Sequence, residues 1–397
     1  MREFINNFLG QFDLDVRKSG DARYSDQKCT PDVVCFIADC VINIVQDGNS
    51  FTVNDIWESQ YFIKNAVAVF GKPLPTNPKA RHEYDKFIQQ PLRLLGYAHV
   101  LNVSKNGNVN VYQISNEDML DYISRRERNT YNFLYCYFKK VMEDSGMWKY
   151  FQEFIDLSKK GNATRLDYLG LRDRFLRFMI GNTNINTAVE VRRIFPKILN
   201  IFAVDNNICG SERGTLSKYL FTFSELMYNR KNWRDINKEK SITRQEAAED
   251  AIDTQQEAFN AYYVQKAIAL IRKIHHESEV HDAWGNGPAT QVHHIFPKSQ
   301  FPQIAHYIEN LILLTATQHN TKAHPNNNTQ VIDKDYQLVL LLAKSETIEK
   351  SLKKVGDKYY RKESFVYVLN TGLNQEISAS LSFQDIRQLL ITLYNAA

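Results

Sequence analysis

The segment from Gln291 to Pro325 constrains the fold more than any other part of this chain. Gln291–Phe296 is a short strand-like run. A loop with two prolines follows, and Leu311–Leu314 is a second short apolar strand. Thr315 or Thr317 can then cap a short helix that contains His319 and that Pro325 helps to stop. The order is therefore strand, loop, strand, helix. Eight of the ten histidines lie between His275 and His324. Clustering alone says little, but their order within the segment is informative.

Adjacent His293 and His294 on a strand point to opposite faces, because the side-chain period is two. One can bind a metal together with a histidine on the following helix, and the other can accept a proton. Such a pair suits phosphodiester hydrolysis. That reaction needs a water that loses its proton, a stabilised phosphate and a neutralised leaving oxygen. A divalent cation with open positions serves the last two needs. A histidine near its normal pKa serves the first. Asn310, at the entry to the second strand, can bond to backbone and hold the intervening loop.

These residues resemble the HNH, or ββα-metal, nuclease family. Its pattern is an Asp/His-His pair, then Asn before Leu and apolar residues, then His or Asn on the next helix. The resemblance implies that His293 and His319 are metal ligands, His294 the general base, and Asn310 the residue that orients the base loop. His293 replaces the commoner Asp. One divalent cation per site is implied. Mg²⁺ is expected, while two imidazoles also suit Mn²⁺, Ni²⁺ or Zn²⁺. His324, five residues beyond His319, is left as a phosphate contact or third ligand. Lys298 and Lys322 are candidates for neutralising the scissile phosphate, and Asn320 is a fallback ligand. His306 is expected in the loop; His275, His276 and His281 are read as structural.

Beyond the motif, HHIFPKSQFP and IENLILLTATQHNTKAHPNNNTQ look like HNH-containing type II restriction endonucleases. That resemblance implies site-specific cleavage of double-stranded DNA leaving 5′-phosphates, a homodimer, a cognate DNA methyltransferase in the host, and a prokaryotic cytoplasm. Two other readings share the features. One is an HNH enzyme with a homing, nicking or modification-dependent role. The other is a DNA-binding regulator with a degenerate nuclease segment.

The fold class expected is mainly α with small β elements, α+β. Residues 1–30 read as an N-terminal arm. Residues 31–117 read as a winged-helix-like module. A helix from Asp32 to about Val45, started by Thr30-Pro31, shows one broad apolar stripe. A helical stretch follows over 51–70, then a third helix from Lys79 to about Leu95. Lys79, Arg81, His82, Tyr84, Lys86 and Gln89 are expected to face outward. Asn106-Gly107 between two alternating runs signals a hairpin that carries Lys105. From Lys79 to Asn116 the local net charge is +3. Duplex DNA is the partner this implies; the plain alternative is a structural module with a basic face. Pro91 lies inside the proposed third helix and counts against the DNA-binding reading.

Residues 118–284 read as a helical linker, dimerisation and DNA-contact region. Within it, Met227–Arg244 has a net charge of +4, with Arg230, Lys231 and Arg234 as phosphate candidates beside Tyr228 and Trp233. One long helix is expected over Gln245–Val280. Residues 285–330 hold the nuclease motif, and residues 331–397 read as helices packed behind it.

Composition adds limits. The net charge of +4 neither demands nor excludes nucleic acid. The five cysteines form no C-x-x-C pair, which argues against a zinc knuckle or a disulfide framework and fits a reducing compartment. The first residues do not make a signal peptide, and no apolar run approaches the ~20 residues of a membrane span.

Overall fold

A computed structural model describes residues 2–45, 48–228, 260–285, 287–323, 333–354 and 359–395. The described chain is mainly helical with three two-stranded antiparallel sheets. It divides into two compact units, Met1–Ala248 and Glu249–Ala397. Among the described residues no helix is long and apolar enough to cross a membrane.

The first unit is built around α3 (Pro31–Ile44). Every residue from Pro31 to Val41 is buried, so this helix is covered on all sides and not along a single stripe. The proline opens the helix as expected. Thr30, however, gives no cap to the backbone. Its hydroxyl donates to Asp32 Oδ1 at 2.6 Å. Helices α4 (Val53–Trp57), α5 (Gln60–Phe70) and α6 (Arg81–Tyr97) pack against α3. Phe36, Phe62, Phe70 and Phe87 interlock between them, with Phe70 and Phe87 edge to face at 4.9 Å. Helix α6 runs through Pro91, whose side chain is buried.

The hairpin follows directly. β1 (Leu101–Asn106) pairs with β2 (Val109–Ile114), Asn106 opposite Val109. Gly107 turns the chain at φ 59°, where a side chain would be strained. A Cβ on Gly96 would lie 2.3 Å from Val103, so only glycine lets α6 approach the hairpin this closely. Phe51 pairs with Tyr112 through two backbone bonds of 2.8 Å, a one-residue bridge to the outer edge of β2.

Residues 2–30, expected as an arm, are folded into this unit. Helix α1 (Arg2–Leu9) buries Ile5, Phe8 and Leu9, and α2 (Val16–Ser19) buries Val16. Leu14, Tyr24 and Cys29 are also buried. Helices α7 (Glu117–Arg125), α8 (Glu127–Asp144), α9 (Trp148–Lys159), α10 (Arg165–Asn182) and α11 (Ala188–Asn206) complete the core. α1 packs on α8, and Arg2 pairs with Asp205 near the end of α11. The hairpin β3 (Cys209–Glu212) and β4 (Thr215–Leu220) lies in a stretch read as helical. Its turn uses Arg213 and Gly214 at φ 48° and 82°.

In the second unit, residues 260–274 form α12. β5 (Ala289–His294) pairs with β6 (Leu311–Thr315), and His293 and His294 stand opposite Ile312 and Leu311. Every residue of β6 is buried, which explains its unbroken apolar run. Its cover includes α13 (Lys334–Lys353), α14 (Lys362–Leu373) and α15 (Phe383–Asn395), with Leu340, Phe365, Leu369 and Ile386 in one core with Phe296 and Ile312. A Cβ on Gly372 would meet the Phe296 ring at 2.4 Å, so α14 also relies on a glycine to seat against the loop after β5. Along β6, Glu279 bonds Leu313 twice: Glu279 N donates to Leu313 O at 3.0 Å, and Leu313 N donates to Glu279 Oε1 at 2.9 Å. The buried Lys344 ammonium lies 2.9 Å from Glu279 Oε2 and 2.8 Å from Tyr360 Oη.

Candidate functional site

The histidine positions converge on β5, β6 and the six-residue π-helical turn that follows them, Gln318–Ala323. The expected short helix is thus a wider turn. Thr315 caps it, with Gln318 N donating to Thr315 Oγ1 at 3.2 Å. A π turn commonly marks a functional position in a helix. It carries His319.

His293 is buried on β5, and its ring stands perpendicular to that of His319, with centroids 5.4 Å apart at 81°. Two imidazoles that share one ion, with metal–nitrogen distances of ~2.1 Å, have centroids about 4.6 Å apart at an octahedral angle and about 5.3 Å apart at a tetrahedral one. The observed spacing fits that arrangement. His319 Nδ1 lies 2.9 Å from Asn320 Oδ1, which can only accept. Nδ1 therefore carries the proton, and Nε2 is the nitrogen with the lone pair. Asn320, expected as a fallback ligand, here sets the tautomer of its neighbour.

His294 reaches a different partner, as strand alternation requires. Its Nε2 lies 3.0 Å from the carbonyl oxygen of Ala305. A carbonyl can only accept, so Nε2 is protonated and Nδ1 holds the lone pair. Burial pushes the His294 pKa below the usual imidazole value and the nearby Lys298 charge adds to this; the bond to Ala305 works the other way. The ring is therefore neutral at neutral pH, the form that accepts a proton.

Ala305 is held through Asn310, which is fully buried. Asn310 Oδ1 accepts from Phe296 N at 2.9 Å, and Nδ2 donates to Phe296 O at 3.0 Å and Ile304 O at 3.3 Å. Ile295 N also donates to Asn310 O at 2.9 Å. One side chain thus closes the loop between the strands, one residue from the carbonyl that anchors His294.

Lys298 is exposed, and Lys322 is partly buried with its ammonium 4.7 Å above the Trp284 ring. His306 lies in the loop beside Tyr307. His275 bonds Tyr360 Oη at 2.6 Å, in keeping with a structural role. His324 lies outside the described residues, as do Arg230, Lys231 and Arg234. In the first unit Arg81, Lys86 and Lys105 are exposed on α6 and the hairpin. Tyr84, expected to face outward, is fully buried and donates to Pro73 O at 2.6 Å; its ring belongs to the aromatic core of α3–α6. Lys79 lies in the 3-10 turn Pro78–Ala80 just before this helix, and its side chain lies outside the described residues.

Among the described residues, no group of three or more His, Cys, Asp or Glu side chains gathers to hold a metal. The pair His293 and His319 would leave the remaining positions of a bound ion to water or substrate oxygens. Sequence reasoning missed Gln318. It is fully buried beside His319, accepts from Ser278 Oγ at 2.6 Å and Thr315 N at 3.0 Å, and donates to Val280 O at 2.9 Å and Asp282 Oδ1 at 2.8 Å. A Gln in a polar run carries no mark of such burial. Compared with known family models, curated proteins and solved structures, the chain finds no match.

Proposed function

We propose that this chain is a metal-dependent DNA endonuclease of the HNH type, and within that class a type II restriction endonuclease. The observation that carries the reading is one constellation on a two-stranded hairpin. His293 faces His319, while the adjacent His294 is anchored to Ala305 O in a loop closed by Asn310. The order of these residues in the sequence points to the same chemistry.

In this mechanism His294 Nδ1 takes the proton of the attacking water, and its Nε2–H stays on Ala305 O. The bond keeps the ring aimed and the tautomer fixed. His293 and His319 would hold one divalent cation, Mg²⁺ or Mn²⁺, with Ni²⁺ as an alternative. When bound, that ion supplies charge stabilisation at the phosphate and at the 3′ leaving oxygen. Asn310 acts through the loop and touches no reacting atom. Breaking the P–O3′ bond leaves a 5′-phosphate.

Base reading falls to residues 31–117, a winged-helix-like module. Its order of helix, one-residue β-bridge, helices and hairpin supports that reading, with Arg81 and Lys86 on the helix before the wing and Lys105 on the wing. A homodimer would cut both strands of a symmetric site. A cognate methyltransferase would protect the host DNA. The test is incubation with supercoiled plasmid and each divalent ion in turn. Discrete fragments are expected with Mg²⁺ or Mn²⁺, and plasmid left intact with every ion sinks the reading.

A further inference from the structure

We infer that Trp284 and Lys322 form a binding surface for one nucleotide of a DNA strand beside the His293–His319 pair. The inference rests on the proposed function for the identity of the polymer. Trp284 is 47% exposed, so much of its indole is open to a ligand. It is not on a loose tip. Trp284 N donates to Asp282 Oδ1 at 2.9 Å, and Thr315 Oγ1 donates to Trp284 O at 3.0 Å. Asp282 Oδ1 also accepts from Gln318 Nε2 at 2.8 Å, and Asp282 Oδ2 accepts from Tyr336 Oη at 3.0 Å. Gln318 precedes His319. The exposed indole and the candidate metal ligand are thus fixed to one hydrogen-bonded frame.

Lys322 lies three residues beyond His319 on the same π-helical turn, and its ammonium sits 4.7 Å above the indole. The indole surface that Lys322 leaves exposed can take a base or sugar, and the ammonium above the ring can take the adjoining phosphate. Together they match one nucleotide unit. The surroundings suit an anion. The nearby Asp282 carboxylate is taken up by Trp284 N, Gln318 Nε2 and Tyr336 Oη, and from Ala283 to Ala323 the sequence has one acidic residue, Glu309, which is buried. Asn320 and Thr321 add exposed polar groups on the turn, and Thr317 adds one just before it.

The test uses the full chain and a fluorescein-labelled random-sequence DNA duplex, read by anisotropy in EDTA so that no turnover is needed. Trp284→Ala should weaken binding about tenfold, whereas Trp284→Phe, which keeps an aromatic face, should retain most of the affinity. Lys322→Gln should weaken binding less and lower the slope of log affinity against log salt by about one. Circular dichroism confirms that each variant is folded. Wild-type affinity and salt slope in Trp284→Ala and Lys322→Gln overturn the inference, as does a wild-type chain that binds no duplex. Cleavage is scored separately with Mg²⁺ and Mn²⁺. A chain that binds through Trp284 but never cuts removes the nuclease reading and leaves this surface standing. A chain that cuts, with binding indifferent to Trp284, does the reverse.

Discussion

Replacing Asn310 by alanine removes the clamp that closes the loop between β5 and β6. Three backbone groups lose a partner, but not equally. Ile304 O keeps a bond from Tyr307 N at 3.1 Å, whereas Phe296 N and Phe296 O depend on the Asn310 amide. Each buried group left unsatisfied costs about 1–3 kcal/mol, so the pair costs about 4 kcal/mol. For a unit of this size that lowers Tm by about 10 °C. Asn310→Asp separates shape from hydrogen bonding. The carboxylate still accepts from Phe296 N, but its second oxygen faces Phe296 O and Ile304 O at the present 3.0 and 3.3 Å with no proton between them. Burial and those two carbonyls raise its folded pKa above the ordinary ~3.9. The stabilising contribution of the protonated acid is therefore complete below that ordinary value and is lost as pH rises through the folded pKa. Asn310→Asp should be strongly destabilised at pH 7 and recover on acidification, as read by thermal melts followed by circular dichroism. Wild-type stability in Asn310→Asp at neutral pH, or no recovery in acid, would refute the reasoning.

Two further outcomes follow from named contacts. Lys344→Met leaves the Glu279 carboxylate buried without its ammonium and should cost about 3–5 kcal/mol in urea unfolding, while the double variant Glu279→Gln/Lys344→Met regains most of it; equal stability of the single variant and the wild type contradicts this. Burial and the nearby Lys298 charge hold His294 neutral, so cleavage should persist as pH falls past the ordinary imidazole value of ~6.5 and decline only below it. Lys298→Gln removes one of those influences and should move the acid limb to higher pH; a limb that stays in place shows that another group sets it.

Much of the candidate site is legible because its elements are local. The strand-like run that holds His293 and His294, the apolar run after Asn310 and the two prolines between them specify two strands and a loop within a short span. The Asn106-Gly107 turn gives the first hairpin for the same reason. What escapes is set by packing between distant residues. Tyr84 sits among charged residues of α6, yet its ring is claimed by Phe62 and Phe87. Arg2 and Glu3 make residues 2–9 look like a solvated start, while Ile5, Phe8 and Leu9 share the face that meets α8. Glu279 and Lys344 look like surface charges in isolation, and only the fold brings them together beneath β6. Arg213-Gly214 is a turn signal in plain view, but the helical stretch before it draws the reading past it. Gln318 belongs with these: its buried amide bonds Ser278, Val280 and Asp282, far upstream in the sequence, as well as nearby Thr315, and its identity does not announce that role.

The most direct test of the central claim compares the wild type with His294→Ala on one plasmid, with cleavage and DNA binding measured side by side. Cleavage dependent on Mg²⁺ or Mn²⁺ is expected in the wild type. The variant should lose cutting at every pH while binding the plasmid as the wild type does. A variant that cuts at the wild-type rate would contradict the account.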